Sequence, residues 1–207
     1  MTRIIVTGLI AQHYTLAGVS WDYMQYCIGL HQLGYDVYYI EDSGEWPYNF
    51  DGGPNGDDWV EKDCVKNTSY LDSLVARYGM EDRWAYYFPL KSEWFGMSDQ
   101  KRNEVINTAD LLINVSGTLE KPENYNTVKR LAYIDSDPGF TQVKIRLNNA
   151  DFTKRVEAHH CHFSFGECLP HNLQDPRFNW IPTRTPIVMS EWPAGQPYRE
   201  KYTTIMN

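Results

Sequence analysis

The chain has 207 residues, with 19 basic and 27 acidic side chains, a net charge of −8 and 14% aromatic residues. That charge argues against non-specific nucleic-acid binding, which needs a basic footprint, and no run of ~18 apolar residues offers a membrane span. Met1-Thr2-Arg3 leads straight into an apolar run without the features of a secretory signal, and the four cysteines (Cys27, Cys64, Cys161, Cys168) form no CxxC pair, which predicts free thiols in a cytoplasmic protein.

Arg3-Ile4-Ile5-Val6-Thr7 predicts a buried strand. A loop holding Gly8, His13 and Gly18 follows, then a helix over residues 21–33 with Tyr23, Tyr26, Cys27, Leu30 and Leu33 at helical spacing. Gly34 stops that helix, and Val37-Tyr38-Tyr39-Ile40 reads as a second strand ending in acids. This is the opening β-α-β of a parallel sheet with a right-handed crossover. Residues 43–58 predict a loop around Trp46-Pro47-Tyr48, and residues 59–78 a helix. A strand over residues 84–88 closes at Pro89, and Ser98 is placed to cap a helix reaching residue 107. Further strands are predicted over residues 110–115, 130–135 and 162–166. Strands alternating with helices give the fold class: α/β, a doubly wound, mostly parallel sheet flanked by helices, Rossmann-like, over residues 1–188. Pro182, Pro186, Pro193 and Pro197 predict an extended linker across residues 180–197, and residues 202–206 read as a further strand with no partner.

Sheets of this kind bind ligands at the carboxyl ends of their strands, where the loop after the first strand carries a histidine. A dinucleotide site would show G-x-G-x-x-G there. The glycine spacing of residues 7–18 fails that pattern, although Asp42 stands at the end of the second strand.

Ile4-Ile5-Val6-Thr7-Gly8, His13, Gly18, Leu30 and Leu33-Gly34-Tyr35-Asp36-Val37 together resemble the opening of GT-B glycosyltransferases. The resemblance implies the N-terminal, acceptor-side half of such an enzyme, inactive alone. Residues 189–207 would then be the linker and first strand of a missing C-terminal donor-binding half. It also implies a small-molecule or sugar acceptor, and no tightly bound cofactor. A nucleotide-sugar donor is expected only with the second half. Copies of the chain could pair through the exposed inter-domain face. His13 takes the position of the family's loop base, a role that suits imidazole because its ordinary pKa is ~6.5. The family's usual Gly-His is Gln12-His13 here.

Other candidates fall on the same edge. Asp135, at the end of a strand, is placed to orient His13 or bind ligand hydroxyls. Asp137 before Pro138 reads as a helix N-cap. Ser116, Gly117 and Thr118 end another strand, as ligand contacts or as an ordinary turn. Gly8 and Gly18 would let backbone and acceptor approach closely, and Trp46 would form part of an acceptor wall. Glu167 is a weaker candidate for the same cleft. His159-His160-Cys161-His162 does not have the separated pairs of a zinc site, and no metal is expected. Two other functions stay open: a non-catalytic ligand-binding α/β domain, and a nucleotide-dependent oxidoreductase or epimerase.

Overall fold

The computed structural model describes residues 1–48, 62–170, 174–192 and 195. The strand expected over residues 202–206 lies outside the described residues, as do residues 49–61 of the expected loop and helix start.

Among the described residues, eight strands form one sheet. In chain order they are β1 (Arg3–Thr7), β2 (Asp36–Glu41), β3 (Trp84–Phe88), β4 (Glu93–Gly96), β5 (Leu111–Val115), β6 (Leu131–Asp135), β7 (Cys161–Ser164) and β8 (Trp180–Pro182). The order across the sheet is β4-β3-β2-β1-β5-β6-β7-β8, parallel throughout except for the antiparallel β3/β4 edge pair. The helices are α1 (Ala17–Gln32), α2 (Val65–Ala76), α3 (Asp99–Thr108), α4 (Pro138–Arg146) and α5 (Ala150–Glu157). The chain is thus α/β, a mostly parallel sheet flanked by helices in a Rossmann-like arrangement.

Strand periodicity sorts the core into two layers. Ile4, Val6, Val37, Tyr39, Trp84 and Tyr86 pack with Tyr23, Cys27 and Ile28 of α1 and Leu71 and Val75 of α2. Their neighbours Ile5, Tyr38, Ile40, Ala85 and Leu112 face the other way, onto Val105 of α3 and onto Tyr125 and Val128 of the β5–β6 connection. Farther along that second face, Tyr133, Ile145 of α4 and Val156 of α5 meet Phe178 and Trp180.

Local signals fix several boundaries. Gly34, at φ +85, ends α1 with the Gly34 and Tyr35 amides bonded back to the carbonyls of His31 and Leu30. Ser98 caps α3 through the Lys101 amide, and Asp137 caps α4 through the Phe140 amide, with Pro138 in the first turn.

The C-terminal part differs from the expected linker. Trp180–Pro182 is the edge strand β8, paired in parallel with β7. Proline is tolerated there because an outer strand needs only one side of its ladder. The chain then returns across the α1–α2 layer. The Val188 amide bonds to Gln25 Oε1 (3.3 Å), Gln32 reaches Ser190 (3.1 Å), and Trp21 and Trp192 lie 6.3 Å apart.

Strand order reverses between β1 and β5. From β1 the chain winds outward to β4, then crosses back through α3 to start again at β5. The crevice at the carboxyl ends of β1 and β5 is therefore where this architecture receives ligands.

Candidate functional site

The loop after β1 is built around one buried acid. Glu41, the last residue of β2, has 0% exposure. Its carboxylate accepts the backbone amides of Ala11 (2.8 Å) and Gln12 (2.6 Å) and the Tyr39 hydroxyl (2.7 Å). Tyr39 Oη in turn accepts the Ile10 amide at 3.0 Å. Asn67 of α2 donates to the Ala11 carbonyl (2.8 Å), so successive peptide groups of an irregular loop find partners in its interior. Burial pushes the Glu41 carboxyl up to about 7, although these donors pull the other way.

His13 leaves this loop half-buried. Its ring stacks on Tyr48, with centroids 4.7 Å apart and planes 27° apart, and its Nδ1 is buried without a hydrogen-bond partner. Burial lowers its pKa, which keeps the imidazole neutral and proton-accepting near pH 7. The Tyr48 amide returns to the Gln12 carbonyl (3.1 Å), and Ser43 Oγ donates to Gln12 Oε1 (2.8 Å), tying the β2 end to the histidine loop. Beside them Trp46 and Tyr48 are 54% and 44% exposed, a pair of aromatic rings on the rim.

Gly8 and Gly18 differ in what they require. A β-carbon on Gly8 would lie 2.4 Å from Cγ of Tyr23, so the close approach demanded there is by the protein's own ring. Gly18 sits in the first turn of α1, where a β-carbon would meet nothing within 4 Å.

The ends of β1 and β5 carry a buried polar network. Thr7 Oγ1 donates to Asn114 Oδ1 (3.0 Å) and meets Thr118 Oγ1 at 2.9 Å. Asn114 Nδ2 reaches His159 Nε2 at 3.0 Å, and His159 Nδ1 faces the Arg155 carbonyl at 2.9 Å. These partners assign the proton to Nδ1, so His159 is a neutral, satisfied core histidine whose pKa burial lowers to about 4. His160 Nδ1 accepts the Leu131 amide (3.0 Å), and His162 Nε2 meets the Val156 carbonyl (2.9 Å). The three histidines are thus engaged separately, and among the described residues no cluster of metal-ligating side chains forms.

Past β5, Ser116 and Gly117 both adopt positive φ, 60° and 63°. For Ser116 that conformation costs about 1 kcal/mol. It is held by the Ser116 amide on the Ile134 carbonyl (2.8 Å) and a 2.6 Å contact between the Ser116 and Ser136 hydroxyls. A β-carbon at Gly117 would stand 2.6 Å from the Tyr133 hydroxyl. Asp135, 1% exposed at the end of β6, accepts from Thr141 Oγ1 (2.8 Å), the Asp137 amide (3.2 Å) and Ser164 Oγ (3.3 Å). Burial raises its pKa. Glu167 is paired with Arg184 on the surface.

The candidates therefore gather along one edge but in two groups. His13, Trp46 and Tyr48 stand at the ends of β1 and β2. Ser116, Gly117 and Asp135 line a separate cleft of about 250 Å³ at the ends of β5 and β6. No hydrogen bond joins His13 to Asp135, whose bonds are made within its own neighbourhood. Sequence reasoning missed Glu41; its available signal was an acid closing the apolar run of residues 37–40. Comparison of the chain with family models, curated proteins and solved structures finds no match.

Proposed function

We propose that this chain is the acceptor-side half of a GT-B glycosyltransferase, moving a sugar from a nucleotide-sugar to a hydroxyl acceptor. The observation that carries the reading is the setting of His13. It is a neutral, half-buried imidazole at the carboxyl edge of β1, held by a loop anchored on Glu41 and flanked by exposed aromatic rings. In this role His13 accepts the proton of the acceptor hydroxyl as its oxygen attacks the anomeric carbon and the nucleoside diphosphate leaves. Trp46 supplies a face for a sugar ring or flat aglycone. The nucleotide-sugar is held chiefly by a second Rossmann-like half, so this chain alone binds acceptor and does not turn over.

The test is a panel of glycosides and phenolic acceptors, followed by tryptophan fluorescence and by the His13 ring resonances. Expected is saturable quenching that Trp46→Phe removes, together with displacement of the His13 signals. Tight binding of NAD(P) would instead establish the oxidoreductase or epimerase class. Ligand binding that leaves His13 unmoved would point to a non-catalytic binding domain.

A further inference from the structure

In a chain of net charge −8, two cations share a cleft with Asp135 but form no ion pair among the described residues. Lys144 of α4 and Arg155 of α5 line the 250 Å³ cleft, and neither forms an ion pair among the described residues. Both lie beside aromatic rings. Lys144 Nζ lies 4.2 Å from the Phe140 ring centroid and 4.9 Å from that of Phe152, and Arg155 Cζ lies 6.0 Å from the same Phe152 ring. Both positive charges border the same ring at the cleft, so an anion bound there is attracted by each. Their helices are anchored beside them by buried Ile145 and Val156, so the charges are presented by packed elements.

The opposite wall is of another kind. Ser116 and Ser136 offer hydroxyls beside two carboxylates, buried Asp135 and exposed Asp137. Asp135 is occupied by Thr141, Ser164 and the Asp137 amide, and Asp137 caps the Phe140 amide. The cleft lies below the size of drug-binding pockets, on the scale of a single small ligand.

We propose that this cleft binds the oxyanion group of a hydroxylated small molecule, the anion on Lys144 and Arg155 and the hydroxyls on the Ser116–Ser136 wall. A planar guanidinium recognises a carboxylate or phosphate through paired N–H donors, while the ammonium acts as a point charge. The site stands apart from His13 and does not rest on the transferase reading.

The test is an amide NMR titration of the full chain with inorganic phosphate, glucose 6-phosphate, glucuronate and glucose. Saturable shifts are expected at Ser116, Ser136 and Lys144 with the two charged sugars, weaker ones with phosphate, and none with glucose. Glucose 6-phosphate against glucuronate separates phosphate from carboxylate recognition. Lys144→Met and Arg155→Met, which keep the apolar stems over Phe152, should each weaken binding at least tenfold. Lys154→Met, at an exposed position of α5, and His13→Ala should leave it within twofold. Equal shifts with glucose, wild-type affinity in both methionine variants, or shifts centred on Lys154 would overturn the proposal. Should a methionine variant fail to fold, the wild-type shift map decides alone. Anion binding that survives while no acceptor engages His13 would remove the transferase reading and leave this site standing.

Discussion

Glu41→Gln tests whether burial or hydrogen bonding governs the acid beneath the histidine loop. The carboxyl has an ordinary value of 4.5 and is pushed up to about 7 in the folded protein. Between those values the folded state holds a proton that the unfolded chain has released, so stability falls as pH rises. The step from 4.5 to about 7, at ~1.36 kcal/mol per pH unit, comes to about 3 kcal/mol. That contribution is fully present below pH 4.5 and gone once the pH has passed about 7. Glutamine cannot titrate, and it sets an NH2 among donors that had an acceptor, so at pH 5 the variant should be less stable by about 1–3 kcal/mol. Urea unfolding of both proteins from pH 4.5 to 8.5 gives the difference directly, free of groups common to both. The variant should gain on the wild type by about 3 kcal/mol across this range. A constant difference would refute the reasoning. It would mean that the amides of Ala11 and Gln12 and the Tyr39 hydroxyl outweigh burial and keep the carboxylate charged, since such a group changes its contribution only below pH 4.5.

Three further outcomes follow from the geometry. His159 titrates in the opposite sense: its pKa falls from 6.5 to about 4, so it contributes stability above pH 6.5 that is lost as pH drops through about 4, again about 3 kcal/mol, and a non-titrating His159→Gln should flatten the acid limb of the urea-derived profile. Gly8→Ala drives a methyl into the Tyr23 ring and should cost about 1–3 kcal/mol in a thermal melt, whereas Gly18→Ala, in an open helical position, should be neutral or stabilising by up to about 1 kcal/mol. Asp137→Ala removes the α4 cap and should cost about 1 kcal/mol, with faster hydrogen exchange at the Phe140 amide as the local readout.

Much of the fold was legible because its signals are local. Apolar runs at residues 3–7, 84–88 and 131–135 became strands, and Gly34, Ser98 and Asp137-Pro138 marked helix ends through backbone geometry that needs no distant partner. Elements defined by tertiary context were harder to read. Trp180–Pro182 has linker composition and becomes a strand only because β7 is beside it. Glu93–Gly96 has no alternating pattern and owes its state to β3. Helix α5 went unread although Asn149 caps it and Phe152 and Val156 follow at helical spacing. The histidine loop was visible as residue types, but its support was not, since nothing near Glu41 in sequence announces that residues 10–12 fold back onto it. Asp135 and His13 shared an edge by sequence logic, yet the order β1-β5-β6 sets β5 between the strands that carry them.

The two margins of the sheet also bear on how the molecule can associate. One border is the four-residue β4, with exposed Glu93 and Gly96 at its ends, and the other is the three-residue β8, closed by Pro182. Short borders with a charge or a proline are poor templates for a further strand. Lateral growth into a continuous ribbon is thereby discouraged on both sides. A second copy or domain is directed instead toward the ends and faces of the layer, where contact leaves backbone hydrogen bonding undisturbed and side chains alone decide the fit.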